Sequence, residues 1–267
     1  GNSNTLCGTG SPTTFCRTIG SGASQTLVID GGVSQSEINT HLSSFCTVVN
    51  TGALSTNGRV ATKEELHCAI NRLVFTNSAV PRVRIATNGR AIRFYFISPD
   101  PNNSSPVIEG QGNSTLSVCT TTSGSCLSPA DLSDVSLLGC PSPVQTYRLY
   151  NSNGSQRTCS PQTARLGGTP AAGSGGGLFL WFPNGNLDLV GTSAFTGVAW
   201  GNTVSANGTV DFVVPGAGLG NVLSFSGFVN PPTGGAGVST FPIVDFVARA
   251  TSNFKWCSAS ASASGCS

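Results

Sequence analysis

The stretch from residue 177 to 202, GLFLWFPNGNLDLVGTSAFTGVAWGN, decides the fold class of this chain. Its first apolar run, LFLWF, is continuous rather than alternating. A continuous apolar run of strand length is typical of a strand that is buried on both faces. Asn-Gly and Gly-Asn pairs then break the chain, and short apolar runs resume after each break. The pattern predicts a mainly β protein whose core contains Phe179, Trp181 and Phe182.

Two architectures fit the short strands that glycine and asparagine separate in this half of the chain. In a meander, the turn pairs would form hairpins between neighbouring strands. In an irregular β-solenoid, they would form corners between stacked rungs. No strict repeat period is present, and the repeated apolar pairs and Gly-Asn corners favour the solenoid. The turn pairs are Asn184-Gly185, Gly201-Asn202, Asn207-Gly208 and Gly220-Asn221.

The N-terminal quarter of the chain carries two helix signals. Ser34 is followed by a glutamate three positions later, and apolar residues recur at helical spacing as far as Phe45. The same capping pattern begins at Thr62, and apolar residues at helical spacing continue to Leu73. A serine or threonine with a glutamate at this spacing is a capping box, which marks a helix N-terminus. We therefore predict a small N-terminal helical pair.

The period of the apolar residues changes from near 3.6 to 2 at Leu73, which predicts strands from there onward. An Asn88-Gly89 pair lies between the strand patterns VRIA and IRFYFIS, and it predicts a hairpin. We divide the chain into a polar lead-in with the helical pair, 1–75, and a β-rich domain, 76–267. One continuous domain is the alternative.

The cysteines predict a disulfide-rich protein in an oxidising compartment. There are ten, an even number, and no C-x-x-C motif occurs. Neither histidine lies at metal-ligand spacing from a cysteine pair, which argues against zinc and redox motifs. Their order suggests five local bridges, although order alone does not prove connectivity. The suggested pairs are Cys7–Cys16, Cys46–Cys68 (between the predicted helices), Cys119–Cys126, Cys140–Cys159 and Cys257–Cys266.

The charge pattern argues against a nucleic-acid partner. Only 9% of the residues are charged, against roughly 25% in an average domain, and the formal net charge is +2. No run of Lys or Arg exceeds two residues, whereas a nucleic-acid groove needs clustered cations. The nearest basic stripe is better explained as a solvated strand face. It consists of Arg82, Arg84, Arg90 and Arg93.

The length of the apolar runs and the absence of methionine indicate how the chain relates to membranes and to its gene product. No apolar run approaches the roughly 20 residues that a membrane helix needs, so we predict no membrane span in this chain. The sequence contains no methionine, so we expect that Gly1 is not the first residue translated from the gene. We expect that either a signal segment was removed or the chain was trimmed.

Catalytic patterns are weak throughout the sequence, and we predict that the chain is not an enzyme. A hydrolytic triad needs a positioned base, but His41 and His67 lie on predicted helices and no G-x-S-x-G motif accompanies them. Glycoside cleavage needs two carboxylates. Asp188 and Asp211 could meet on one face of a solenoid, although solubility is a sufficient reason for both.

Metal and cofactor patterns are equally weak. The calcium-loop pattern D-x-[DN]-x-[DN]-G is absent from the sequence. The strings GAGLG and GSGGG are not followed by G-K-[ST] and do not sit in a strand–turn–helix unit. We predict no metal and no cofactor.

Four residues remain as candidates for surface contact. Exposed aromatic patches mark binding surfaces, and the two tryptophans of the stretch quoted above could form one, although packing in the core is the main interpretation for Trp181. The two aspartates of L-D-L and V-D-F point outward by alternation and are included as possible surface contacts. The candidates are Trp181, Trp200, Asp188 and Asp211.

Five segments together resemble the globular part of cyanobacterial minor type IV pilins and related pilin-like surface proteins. They are IRFYFISPD, VIEGQGNSTL, LLGCP at 137–141, GLFLWFPNGNLDLVGTSAFTGVAWGNTVSANG, and VDFVARATSNFKW near the C-terminus. The resemblance covers roughly residues 93 to 256. The Cys257–Cys266 pair is similar to the C-terminal disulfide loop of many pilins.

The resemblance implies an extracellular pilus or surface-filament subunit with a structural or adhesive role, and it carries over no catalytic residue. Pilins begin with a long apolar helix, whereas this chain opens GNSNTLCGTG. The resemblance therefore implies that such a helix was removed or that a separate helical pilin chain supplies it. The expected partners are that chain, other copies of this one and surface glycans. The alternative is a secreted β-solenoid that cleaves or binds polysaccharides, and a viral or effector surface domain stays open.

Overall fold

The structure is a computed structural model, and the residues it describes are mainly β, as predicted. They are 14–22, 25–56, 59–75, 82–96, 106–110, 114–121, 135–139, 161–167, 178–191, 193–208 and 210–213. All of them belong to one compact unit, Gly1–Asn230. The strands are β1 (Cys16–Ile19), β2 (Thr26–Asp30), β3 (Cys46–Thr56), β4 (Arg59–Ile70), β5 (Leu73–Phe75), β6 (Arg82–Ala86), β7 (Ala91–Phe96), β8 (Ile108–Gly110), β9 (Thr115–Cys119), β10 (Val135–Leu138), β11 (Thr163–Gly167), β12 (Leu178–Val190), β13 (Ser193–Asn207) and β14 (Val210–Val213).

The strands form two sheets, and most of their pairs are parallel. The smaller sheet has the order β1-β2-β6-β9. The larger has the order β3-β4-β7-β10-β12-β11-β8-β5, and β13 joins it by pairing with β12 and β14. Only β1/β2 and β3/β4 are antiparallel among the described pairs. Strands distant in sequence are therefore neighbours in each sheet.

The architecture corrects the two predicted alternatives. A meander is excluded for the described strands because consecutive strands would then pair as antiparallel hairpins, and parallel pairs predominate. The fold is also not a true solenoid, because the larger sheet curls into a half-barrel. Its strands range from 3 residues in β8 to 15 in β13. A solenoid needs rungs of similar length, and these strands do not provide them.

The long strand β12 lies within the larger sheet, and its first half confirms the predicted core. Its residues 179–181 pair with β10, its residues 186–190 pair with β11, and β13 pairs along the other edge. Leu178 to Phe182 are all buried. The continuous apolar run is thus a strand covered on both faces, since burial of both faces removes any need for alternation.

A single apolar cluster joins the two sheets. Ile29, Ile85 and Val118 occupy the same register position on β2, β6 and β9, and all three belong to this cluster. Phe94 and Leu180 contribute to it from the larger sheet. The strands therefore alternate between residues that face this core and residues on the opposite, outer face of the sheet, many of which are also buried.

The first predicted helix is present in shortened form. Helix α1 (Gln35–Glu37) continues as a π-helical turn over Ile38–Leu42. The Ser34 hydroxyl accepts a hydrogen bond from the Glu37 N–H at 3.2 Å. The serine half of the predicted capping box is therefore correct, because this bond satisfies a backbone donor that the helix itself leaves unpaired. The Glu37 carboxylate accepts a hydrogen bond from the Phe15 N–H at 3.2 Å.

The second predicted helix, over 62–73, is wrong, and the structure has no N-terminal helical pair. Residues 59–70 form β4, which pairs with β3 and β7. The apolar spacing misled the prediction because Leu66 and Ile70 are four residues apart, an even number. Two residues four positions apart lie on the same face of a strand as well as on the same side of a helix.

The predicted Asn88-Gly89 hairpin is also wrong. Asn88 and Gly89 do adopt left-handed backbone angles, with φ of 44° and 87°. However, the turn connects β6 in the smaller sheet to β7 in the larger one. The N–H groups of Thr87 and Asn88 donate to the carbonyls of Cys119 and Thr120, both at 2.9 Å. The turn is a corner between the sheets, and these bonds join it to the end of β9 and the residue that follows.

The predicted Cys46–Cys68 disulfide is present, but it joins two strands rather than two helices. The two cysteines lie opposite each other on β3 and β4. Cys16 and Cys119 are also disulfide-bonded, and no cysteine in the described part of the chain is free. The division of the chain at residue 75 stays a prediction. Six cysteines lie outside the described residues: Cys7, Cys126, Cys140, Cys159, Cys257 and Cys266.

Candidate functional site

The outer face of the larger sheet carries polar and aromatic residues in register. Residues directly opposite each other on parallel strands lie on the same face of the sheet. One row crosses β4, β7, β10 and β12, and a second row begins one pleat further along and reaches β13. The first row is His67, Arg93, Ser136 and Phe179, and the second is Ala69, Tyr95, Leu138, Trp181 and Trp200.

A buried polar network links the first three strands of these rows. Arg93 donates to both carboxylate oxygens of Glu65, from Nη2 at 2.6 Å and from Nε at 3.2 Å. His67 Nε2 lies 2.9 Å from Glu65 Oε2, and the Tyr95 hydroxyl lies 2.9 Å from His67 Nδ1. Arg93 also donates to the Ser136 hydroxyl at 3.0 Å. We name these five residues the buried network.

The charges within the buried network determine its protonation. Burial by itself would raise the pKa of Glu65, but the hydrogen bond from His67 and the charge and hydrogen bonds of Arg93 outweigh it and lower the pKa to about 2. Glu65 is therefore ionised at neutral pH and only accepts hydrogen bonds. When the imidazole is neutral, Nε2 donates to Glu65 and Nδ1 accepts from the Tyr95 hydroxyl.

The buried network contains the groups that acid–base catalysis uses, but they are enclosed. Glu65, His67, Arg93 and Tyr95 are all buried, at 2% exposure or less. A general base must reach the proton that it takes from a substrate. Here the hydrogen bonds instead connect β4, β7 and β10, which suits the network to holding strands in register.

The histidines predicted to be structural lie in different settings. His67 belongs to the buried network on β4, not to a helix, and its ring stacks against Tyr95 at a centroid distance of 5.6 Å. His41 lies on the π-helical turn and is exposed. The structure therefore does not bring the two histidines into one cluster.

The predicted arginine stripe is not a uniform solvated face. Arg82 is exposed, but Arg93 is buried with Glu65. Arg90 donates to the carbonyls of Gly31 and Val33, at 3.1 and 2.7 Å, and pairs with Glu64. The four arginines do not form one stripe, because the corner at Asn88-Gly89 sends β6, which carries Arg82, and β7, which carries Arg93, into different sheets.

A row of charged and polar residues crosses β8, β11, β12 and β13 of the larger sheet. Glu109, Arg165, Asp188 and Ser205 occupy one register position on β8, β11, β12 and β13. Ser205 donates to Asp188 Oδ1 at 2.6 Å, and Arg165 Nη2 lies 3.4 Å from Asp188 Oδ2. Arg72 pairs with Glu109 at 2.8 Å. Each carboxylate of the row therefore has an arginine beside it.

The two candidate tryptophans stack on each other. Trp181 and Trp200 occupy paired positions on β12 and β13, with ring centroids 5.4 Å apart and planes 26° apart. The ring centroid of Phe179, also on β12, lies 6.1 Å from that of Trp181. Trp181 is only 8% exposed, whereas Trp200 is 40% exposed. Trp181 is therefore a packing residue, and Trp200 presents the aromatic surface.

The two candidate carboxylates lie at different register positions. Asp188 pairs with Ser205 of β13, whereas Asp211 of β14 pairs with Ala194. Ala194 and Ser205 are eleven positions apart on β13, so the two aspartates do not lie in one row across the strands. The structure describes Asp211 through its backbone alone.

The buried network is the feature that the sequence interpretation missed. Its signal is the alternation of polar residues in EELH at 64–67 and IRFYF at 92–96, with Glu65 and Arg93 as complementary charges. Because residues 62–73 were predicted to be a helix, the period of two in EELH was not taken as a strand pattern. In the described part of the chain, no group of three or more His, Cys, Asp or Glu residues could hold a metal ion. None of the helices described is long and apolar enough to cross a membrane.

Comparison with known proteins gives no relative. No protein-family model, no curated protein and no solved structure matches this chain.

Proposed function

We propose that this chain is an extracellular structural protein, a subunit of a pilus-like surface filament with an adhesive role, and not an enzyme. The observation that carries the proposal is the enclosure of Glu65, His67, Arg93 and Tyr95 in a buried hydrogen-bonded network that links β4 to β7. These groups hold strands together instead of facing a substrate. The partners would be other copies of the chain or a separate helical pilin chain.

The cysteines support the extracellular part of this proposal. Cys16, Cys46, Cys68 and Cys119 are all disulfide-bonded. Structural disulfides persist in oxidising compartments and are rare where thiols are kept reduced. A chain that works outside the cell also gains from crosslinks, because they restrict its unfolded state.

The experiment is to shear surface filaments from cells that produce this chain and to probe them with antibodies against it. We expect gold-labelled antibodies to decorate filaments in electron micrographs and the chain to be recovered in the sheared fraction. Cells in which the gene is deleted provide the control. Labelling confined to the cell interior, or filaments that lack the chain, would overturn the proposal.

A second candidate is a secreted protein that cleaves or binds polysaccharides. It is favoured by Asp188, which lies beside Ser205 and Arg165 on an outer row of β11, β12 and β13. Turnover of neutral or acidic glycans that is lost in Asp188→Asn would support the enzyme. Glycan binding without turnover agrees with the adhesive role instead.

A further inference from the structure

We infer, resting on the adhesive role proposed above, that the outer surface of β12 and β13 binds a neutral oligosaccharide. Trp200 is the stacking platform, and Ser205, Asp188 and Arg165 supply hydrogen bonds. We name these four residues the glycan strip. The ligand class follows from three features of the strip: an exposed indole that is held in place, polar groups that are already oriented, and a balanced charge.

The indole of Trp200 is exposed and held in one orientation. Its centroid lies 5.4 Å from that of Trp181, close to the spacing of about 4.8 Å between neighbouring strands. Trp181 therefore covers one face of the Trp200 ring, and Trp200 remains 40% exposed. An ordered aromatic face loses little conformational entropy when an apolar surface stacks on it. The C–H face of a sugar ring is such a surface.

The polar part of the glycan strip is oriented by its own hydrogen bonds. Ser205 donates to one oxygen of Asp188, and Arg165 approaches the other. The side chains of Arg165 and Asp188 are 34% and 25% exposed, so water and ligands reach them. An ionised carboxylate has about four lone-pair sites, and a guanidinium has five N–H donors. Both therefore keep capacity for sugar hydroxyls, which donate and accept.

The charge balance of the strip selects a neutral ligand over an acidic one. Asp188 is paired with Arg165, and the next carboxylate of the row, Glu109, is paired with Arg72. The row therefore presents no net positive field to attract a polyanion. An acidic glycan would also place its carboxylates beside Asp188 and Glu109.

The length of the strip suits an oligosaccharide. Trp200 and Ser205 lie five positions apart on β13, a span of at most about 16 Å in extended chain. They share the outer face because the register between β12 and β13 shifts between Phe182 and Asn186. Phe182 and Leu187, on either side of the shift, both belong to the apolar core, so the adjacent Trp181 and Asp188, which pair with Trp200 and Ser205, face away from it. Thr203 lies between Trp200 and Ser205 and is exposed. A single sugar ring stacked on Trp200 would not reach the Asp188 and Arg165 end, so several linked rings are needed to use both ends.

The test uses the full chain and a panel of hexasaccharides: β-1,4-linked glucose, N-acetylglucosamine, xylose and mannose, α-1,4-linked glucose, and an oligogalacturonate. Binding is followed by titration calorimetry and by tryptophan emission. We expect saturable binding of at least one neutral hexasaccharide, weaker binding of its disaccharide, and no preference for the oligogalacturonate. Absence of binding by every neutral member, or preference for the acidic one, would overturn the inference.

Variants connect the binding to the strip. We expect Trp200→Ala to weaken binding at least tenfold, Ser205→Ala and Asp188→Asn to weaken it several-fold, and Trp200→Phe to retain part of it. The control is Ile19→Ala, an exposed apolar residue in the smaller sheet, which should bind as the parent does. Circular dichroism and thermal unfolding check that each variant is folded. Unchanged affinity in folded Trp200→Ala would contradict the assignment of the strip.

The two proposals fail separately. If labelled filaments contain the chain and no neutral glycan binds, only the glycan strip is wrong. If a glycan binds at Trp200 and no filament contains the chain, only the filament role is wrong. Trp200→Ala should still enter filaments, because the inference gives Trp200 a role in binding and none in assembly.

Discussion

Glu65 and Arg93 form a bidentate ion pair across β4 and β7, with both carboxylate oxygens engaged at 2.6 and 3.2 Å and both side chains buried. The two residues are offset by one pleat, since Glu65 lies opposite Ala91 in the register and Arg93 lies opposite His67. The pair therefore bridges two rows of the outer face. A shift of β7 by one residue would turn Arg93 to the opposite face, toward the apolar core, and leave Glu65 without its cation.

Removing one member of this pair should be strongly destabilising. In Arg93→Met the Glu65 carboxylate stays buried without its main counter-charge, and we expect a loss of about 3–5 kcal/mol in the free energy of unfolding. Urea unfolding at pH 7 measures it. The double variant Glu65→Met/Arg93→Met, which removes both charges, should be more stable than Arg93→Met. A single variant within 1 kcal/mol of the parent would contradict a structural role for the pair.

Acid should weaken the fold through Glu65. Its pKa is lowered from 4.5 to about 2 in the folded chain. A lowered pKa means that the unfolded state binds the proton more readily, so the stability that Glu65 contributes is present above pH 4.5 and is lost as the pH falls toward 2. The contribution is about 3 kcal/mol. Urea midpoints measured from pH 7 to pH 2.5 should decrease through this window.

The matched control for the acid effect is Glu65→Gln. Glutamine has nearly the same shape and does not titrate, so this variant should be less stable than the parent at pH 7 and should lose less stability between pH 4.5 and 2.5. Equal losses in the parent and in Glu65→Gln would assign the acid effect to other carboxylates.

Some parts of the fold could be predicted from the sequence, because the interactions that determine them involve residues close together in the chain. The capping serine at position 34 needs only a backbone N–H three residues later, and the run LFLWF needs only to be apolar on every side. Both predictions hold. The Cys46–Cys68 pair was predicted from chain order and is present, but the predicted helical context was wrong.

The errors arise where partners distant in sequence decide the structure. Nothing near Asn88-Gly89 in the sequence shows that β6 pairs with β2 and β9 while β7 pairs with β4 and β10. Parallel pairing joins strands through long connections, so a turn motif cannot identify the partner. The same applies to the buried network, whose members become neighbours only once β4, β7 and β10 are adjacent.

Loss of the Cys46–Cys68 bridge should lower stability without changing the fold. The bridge closes a loop with a sequence separation of 22, and such a crosslink contributes about 3 kcal/mol, mainly by restricting the unfolded chain. The double variant Cys46→Ala/Cys68→Ala tests this bridge alone, whereas a reductant would also attack the bonds of Cys16 and Cys119. Urea unfolding at pH 7 should show the loss, with unchanged far-ultraviolet circular dichroism. A loss of the β signal in the absence of urea would show that the bridge is required for folding.

Two glycine substitutions separate backbone strain from steric conflict. Gly89 has a left-handed φ of 87°, and an added Cβ would meet nothing within 4 Å. Gly89→Ala should therefore cost only the backbone strain, about 1 kcal/mol. Gly197 has a φ of 149°, and its added Cβ would lie against the backbone carbonyl oxygen of Leu178, well inside van der Waals contact. Gly197→Ala should cost at least twice as much, because β13 must move away from β12.

Thermal and urea unfolding of both alanine variants measure the difference. Glycan affinity gives an independent signal. Trp200 lies only three residues beyond Gly197, so a displaced β13 would carry Trp200 away from Trp181. Gly197→Ala should therefore weaken binding of the neutral hexasaccharide even where the variant remains folded, and Gly89→Ala should not. Equal stability costs for the two variants would mean that the close approach of β12 and β13 at Gly197 does not limit the packing of the sheet.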